Sequence, residues 1–265
     1  MEWISGMEAI FRWLHVVAGI LWIGLLWFFN FVNTPFAGTM DGETKKKVVP
    51  ELIPRALYFF RWGAAWTWVT GLLLLTLIYY HGKQVLGGDP PVWTAGTVVM
   101  ILVTFLAVFL YDALYKSPLA KNPKVAHTVA FVLFAVIVGA MVCPFIGNFS
   151  YRGWLIHSGA LMGTTMAFNV WFRIWPSQRK IISAVKAGQA PDPAVVALAG
   201  ARSRHNTYMS VPLIWTMIGQ HSTFFAGGNL GISTGWAWLV WLAIVLIGWH
   251  LVFQLYKIAG RVKGF

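Results

Sequence analysis

Seven stretches of predominantly apolar residues recur along the chain, at 9–30, 62–80, 93–111, 125–141, 154–174, 208–225 and 236–256. About twenty residues at a rise of about 1.5 Å match the roughly 30 Å hydrocarbon core of a bilayer. Within each run the apolar positions cover all faces instead of alternating, which predicts helices and argues against the strands of an outer-membrane barrel. Most runs begin or end with Trp or Tyr, the side chains that favour the headgroup zone. The first run is too long for a signal-peptide core and has no clean small-residue cleavage site after it. The pattern therefore predicts an all-α, polytopic membrane helix bundle of about seven transmembrane helices, one integral membrane domain over residues 1–265. Its longest connection, 176–207, carries an Ala-rich centre at 191–200 that suits a short surface helix.

Composition sharpens this picture. The 265 residues are 58% hydrophobic and only 11% charged, too few polar side chains to cover a water-exposed surface. A soluble enzyme and a disordered chain are both excluded. Formal charge is +12, and in so apolar a chain the excess lysines and arginines point to an anionic lipid leaflet, not to nucleic acid. Alternate connections divide them unevenly. One side collects Lys45–Lys47, Arg55 and Arg61, then Lys116, Lys121 and Lys124. The same side gathers the basic residues from Arg173 to Arg204 and those from Lys257 to Lys263. Only Arg12, Lys83 and Arg152 fall on the other. Positive charge marks the cytoplasmic side, so the N-terminus is expected outside and the C-terminus inside a bacterial inner (cytoplasmic) membrane.

Candidate chemistry is confined to few residue types. Intramembrane carboxylates are nearly missing, which argues against an ion pump; Asp112 is expected to pair with Lys116 one helical turn on. Histidine is the exception. His15, His157, His221 and His250 lie in or at the ends of apolar helices, where an imidazole needs a hydrogen-bond partner or a metal. Counting along the helices puts His15, His157 and His221 towards the outer leaflet and His250, His205 and His127 towards the inner one. His81 is expected in solvent. Imidazoles from separate helices at one depth suit the axial positions of a b-type haem; zinc is disfavoured because thiolates and a His-x-x-x-His spacing are missing. Gly19, Gly159 and Gly163 beside these histidines leave room for a macrocycle or, equally, permit close helix packing. Cys143, the single cysteine, forbids an internal disulfide, and no Cys-x-x-Cys-His exists for covalent haem attachment.

Four local patterns resemble the membrane domain of the bacterial membrane-bound urate oxidases (urate hydroxylases), whose longer members add a C-terminal cytochrome c domain. They are Arg12-Trp13-Leu14-His15 with Gly19 to Gly24, Tyr111-Asp112-Ala113-Leu114 with Ser117-Pro118-Leu119, and His157 to Thr164 running on to Asn169 and Pro176 to Lys180. The fourth is Arg204-His205-Asn206-Thr207-Tyr208, then Pro212 and Gln220-His221. The chain departs from that family where Gly63 stands in place of an acidic residue, and at 31–61, which has no His-Gly-Gly-Gly stretch.

The resemblance implies roles for His15, His157, His205, His221 and His250. It implies a membrane-embedded protein with one or two haem b groups, passing electrons from a small-molecule donor to a c-type cytochrome or terminal oxidase complex. His15 and His157 are the expected axial ligands, with His221 as alternate ligand or base and His205 with His250 at an inner site. Arg204, His205 and Asn206 are the expected pocket for a small anion such as urate, with Gln254 as a polar neighbour of His250. Urate hydroxylation itself is an alternative, as is a non-catalytic anchor subunit of a respiratory complex.

Overall fold

The computed structural model describes residues 2–220 and 234–263. Seven helices follow in order: α1 at 2–39, α2 at Gly42–His81, α3 at Ala95–Leu114, α4 at Pro123–Val142, α5 at 151–186, α6 at Pro193–Gly219 and α7 at Ala237–Ala259. Among the described residues there is no strand, only the isolated bridge between Leu86 and Phe149. Five helices, α1 to α4 and α7, are long and apolar enough to cross a membrane by length and composition. The other two, α5 and α6, carry His157, Ser158, Asn169, Arg202 and Asn206, all buried. Polar groups enter helices where protein, not lipid, surrounds them.

Helix ends follow local chemistry. Thr94 Oγ1 accepts the Thr97 N–H at 3.0 Å to start α3, and the Asn122 carboxamide accepts the Lys124 N–H at 3.1 Å ahead of Pro123 at the start of α4. The Asp192 carboxylate accepts the Ala194 N–H at 2.8 Å at the start of α6.

The connections differ from the sequence reading. Residues 31–61 and 176–207 are not long loops, because α1 continues to Thr39, α2 begins at Gly42, α5 runs to Lys186 and α6 begins at Pro193. The proposed surface helix at 191–200 is the opening of α6. Hydropathy ends at the basic residues, whereas Lys, Arg, Gln, Glu and Ala are good helix formers. Pairs spaced along the helix, Arg55–Glu51 at 2.7 Å and Lys46–Glu43 at 2.9 Å, support the extension of α2.

Tertiary contacts gather the chain into two compact units. The first comprises Met1–Leu73, Met166–Val211 and Gly248–Phe265, and the second Leu74–Thr165 and Pro212–Ile247. In the first, Trp22, Leu26, Leu57 and Phe60 are fully buried. Gly63 lets α2 approach α1 there, since a Cβ would stand 3.2 Å from the Trp22 backbone nitrogen. Any side chain at that position presses on the Trp22 backbone, so glycine there serves the close approach of the two helices. In the second unit Val138, Met141, Trp154, Leu155 and Trp241 form the core.

Three π-helical turns interrupt the helices, at Phe28–Asn33, Leu75–His81 and Val170–Ile174. Such turns insert one residue and re-aim the side chains near them. Asn30 lies in the first and Tyr79 and Tyr80 in the second, and each faces a buried polar group described below.

Candidate functional site

Among the described residues His157 is the most enclosed imidazole, with no exposed surface. Its Nδ1 lies 2.7 Å from the Gly153 carbonyl, one turn back on α5. A carbonyl only accepts, so Nδ1 carries the proton and Nε2 keeps its lone pair. That lone pair receives the Tyr80 hydroxyl at 3.1 Å. Phe149 meets the ring edge-on with centroids 4.9 Å apart, and Tyr79 does so at 6.3 Å. Local structure places these groups. Gly87 N–H donates to the Asn148 carbonyl at 2.8 Å and Ser150 N–H to the Val85 carbonyl at 2.9 Å, holding Phe149 over the ring. Gly153 admits the same loop, since a Cβ there would lie 2.5 Å from the Val85 carbonyl oxygen. Tyr79 is fixed through its hydroxyl by the Gln220 carboxamide.

His15 is half-buried on α1 in the first unit. Its Nδ1 stands 3.1 Å from Thr70 Oγ1, and that hydroxyl donates its own hydrogen to the Trp66 carbonyl at 2.6 Å. Thr70 can therefore only accept from the ring, so Nδ1 again carries the proton and Nε2 the lone pair. Gly71 makes space for the ring: a Cβ there would come 3.0 Å from His15 Cε1.

A second buried polar group belongs to the first unit. Asn169 Nδ2 donates to Asn206 Oδ1 at 2.9 Å, and Asn206 Nδ2 donates to the Met166 carbonyl at 2.9 Å. Asn30 Nδ2 donates to Ser203 Oγ at 2.9 Å, and the Tyr256 hydroxyl donates to Asn30 Oδ1 at 2.8 Å. Trp27 Nε1 donates to Ser210 Oγ at 2.9 Å. Arg202 is 2% exposed, whereas Arg204 is exposed with its guanidinium 5.9 Å from the Tyr256 ring centroid.

His205 is half-buried on α6. His250 is exposed, and its Nε2 receives an N–H from Gln254 at 3.0 Å, the neighbour the sequence suggests. His81 is exposed, as expected, and His127 meets the Tyr115 hydroxyl at 2.7 Å. Asp112 pairs with Lys116 at 2.7 Å, also as expected. His221 lies outside the described residues. Cys143 is a half-buried free thiol. Of the two readings of Gly159, close packing is the one observed: a Cβ there would overlap the Thr216 hydroxyl and lie 2.8 Å from Thr216 Cβ. Among the described residues, no three of His, Cys, Asp and Glu are grouped to hold a bare metal ion.

Sequence reasoning missed Tyr80, Tyr79 and Phe149 around His157, the Asn169–Asn206 pair and the partners of Asn30. For Tyr80 and Asn30 the available signal was a polar group at the end of an apolar run; for Asn169 it was a carboxamide inside one.

The profile of one protein family, described as Urate oxidase N-terminal, matches residues 36–262. His157, His205, His221 and His250 fall inside the match and His15 falls outside it. No curated protein and no solved structure gives a match.

Proposed function

The chain belongs to the urate oxidase N-terminal family, and from that premise we propose a membrane-embedded haem b redox protein, working between a small-molecule donor and a c-type cytochrome or respiratory complex. The observation that carries this reading is the shared tautomer of His15 and His157. In each, Nδ1–H is anchored to the protein and Nε2 keeps its lone pair, the state a ligating imidazole requires. Imidazole donors without thiolates or clustered carboxylates suit the iron of a porphyrin better than a bare ion. Haem bound there would supply one-electron chemistry.

The protein's own groups have defined tasks in this reading. The Gly153 carbonyl and the Thr70 hydroxyl fix ring orientation. Tyr80 holds a proton on the Nε2 lone pair of His157 and must give up that hydrogen bond when the nitrogen is needed elsewhere. Phe149, Tyr79 and the apolar core around them exclude water.

The family name favours urate as the donor, and urate is an anion near neutral pH. Exposed Arg204 and neighbouring His205 form its proposed pocket. Asn206, whose carboxamide is engaged on both sides, forms the wall and not the contact surface. The membrane proposed is the bacterial inner membrane, with the N-terminus outside.

A pyridine haemochrome assay on the purified full chain tests the proposal. Wild type from haem-replete cells is expected to be red, with an alpha band on reduction. His157→Ala should lose a haem equivalent, whereas Tyr80→Phe should keep it. Anaerobic addition of urate should reduce the chromophore, and Arg204→Ala should raise the urate concentration needed. A colourless wild-type protein overturns the haem reading; a red protein reduced by quinol and untouched by urate overturns the donor.

A further inference from the structure

Arg61 closes the polar part of α2 immediately before its apolar stretch, and its guanidinium is held entirely by aromatic rings. Its Cζ stands 4.2 Å from the Trp175 ring centroid, 5.6 Å from that of Tyr58 and 5.7 Å from that of Trp171. The Trp171 indole N–H donates to the Arg61 carbonyl at 3.1 Å, tying α5 to the α2 backbone at this point. No carboxylate among the described residues pairs with Arg61, and its buried Nε has no hydrogen-bond acceptor. A second guanidinium, that of Arg179, lies 5.9 Å from the same Trp175 ring, and it too has no ion pair among the described residues.

Two like charges sharing one indole repel each other, and ring faces satisfy the flat of a guanidinium but not its N–H groups. The missing partner is an anion with several acceptor oxygens. The surroundings decide its source. Tyr58, Phe59 and Trp62 expose 52%, 54% and 40% of their surface beside Arg61, which offers apolar cover that a free ion cannot use and acyl chains can.

We propose that Arg61, stacked on Trp175 and assisted by Arg179, binds the phosphate of an anionic phospholipid whose chains lie along Tyr58, Phe59 and Trp62. The site needs only that the chain lies in a membrane, so it stands apart from the haem reading. Arg61 supplies the fork of N–H donors and Arg179 adds charge from the exposed side.

Delipidated full chain in a neutral detergent would be titrated with phosphatidylglycerol or phosphatidylcholine, and bound lipid counted by native mass spectrometry. Wild type is expected to hold one phosphatidylglycerol about tenfold more tightly than phosphatidylcholine, the effect of a charge-assisted contact. Arg61→Gln should erase that preference, Arg179→Gln should weaken it about two- to threefold, and Arg61→Lys should fall between, because an ammonium keeps charge without the planar fork. Millimolar inorganic phosphate should not displace the lipid. Equal binding of the two lipids by wild type overturns the proposal even if the variants fail to fold. Unchanged preference in Arg61→Gln overturns it as well, and displacement by phosphate alone assigns the site to a free anion instead.

Discussion

Asn206 in the first unit and His157 in the second are both wholly buried polar side chains in helices with few charges, yet they are satisfied in different ways. Asn206 is a link in a chain: it accepts from Asn169 and donates to the Met166 carbonyl, with the Asn30–Ser203 and Asn30–Tyr256 bonds in the same unit. His157 stands alone among Phe149, Tyr79 and Tyr80, with one carbonyl and one phenol as partners. The lesson concerns exchange of partners. A carboxamide with both ends engaged stiffens helix packing and cannot release a bond without leaving another group unpaired. An imidazole whose Nδ1 is fixed by backbone can trade its Nε2 partner at the cost of one hydrogen bond. The first arrangement is fixed, and the second can exchange a partner.

The largest expected effect separates packing from chemistry around the imidazole. Gly159→Ala drives a methyl into buried Thr216 and should destabilise the protein by about 3 kcal/mol, at the upper end for overpacking. Gly163→Ala meets Leu213 only at 3.9 Å and should be neutral or stabilising by up to about 1 kcal/mol, the gain in helix propensity. Thermal unfolding in detergent checks the pair. Equal losses would mean that this face of α5 is not packed as described.

A smaller difference tests the fixed arrangement against the exchangeable one. Asn206→Leu removes two buried hydrogen bonds, from the Asn169 amide and to the Met166 carbonyl, and should cost about 2 kcal/mol, whereas Tyr80→Phe removes only the one to His157 and should cost about 1 kcal/mol. Denaturant midpoints of the two variants rank them, and the reverse order would remove the distinction drawn between the units.

The smallest effect lies at the surface. The Thr44 backbone N–H and then its hydroxyl hydrogen-bond the Asp41 carboxylate and hold its pKa below the ordinary 3.8. A depressed carboxylate pKa means that its stabilisation is present above the unfolded value and fades as pH falls through the folded one. Asp41→Asn should therefore lower stability slightly and evenly at neutral pH, with the difference from wild type fading below about pH 4 as the wild-type carboxylate is protonated. A change centred near pH 7 would contradict this.

Among the described residues the positions of seven helices were legible because each apolar run is written in consecutive residues, and so were local pairs such as Asp112–Lys116 and His250–Gln254, four residues apart on one helix face. Helix ends were less legible. The apolar runs end at Asn30 and Ile174, before Asn33, Thr34 and Pro35 in one case and Pro176 to Lys180 in the other, although the backbone stays helical to Thr39 and Lys186.

Sequence by itself determined a basic, multi-helix membrane chain with imidazoles as its distinctive functional groups, since transfer from water to lipid depends on composition within each segment. Only tertiary structure decided which nitrogen of His15 and His157 holds the proton, that Arg202 and not Arg204 is buried, and that Tyr80 faces His157 from 77 positions away. The reason is physical. A proton's place on a ring and a charge's access to water are fixed by neighbours in space, and helix packing with its π turns brings those neighbours together without leaving a periodic trace in the chain.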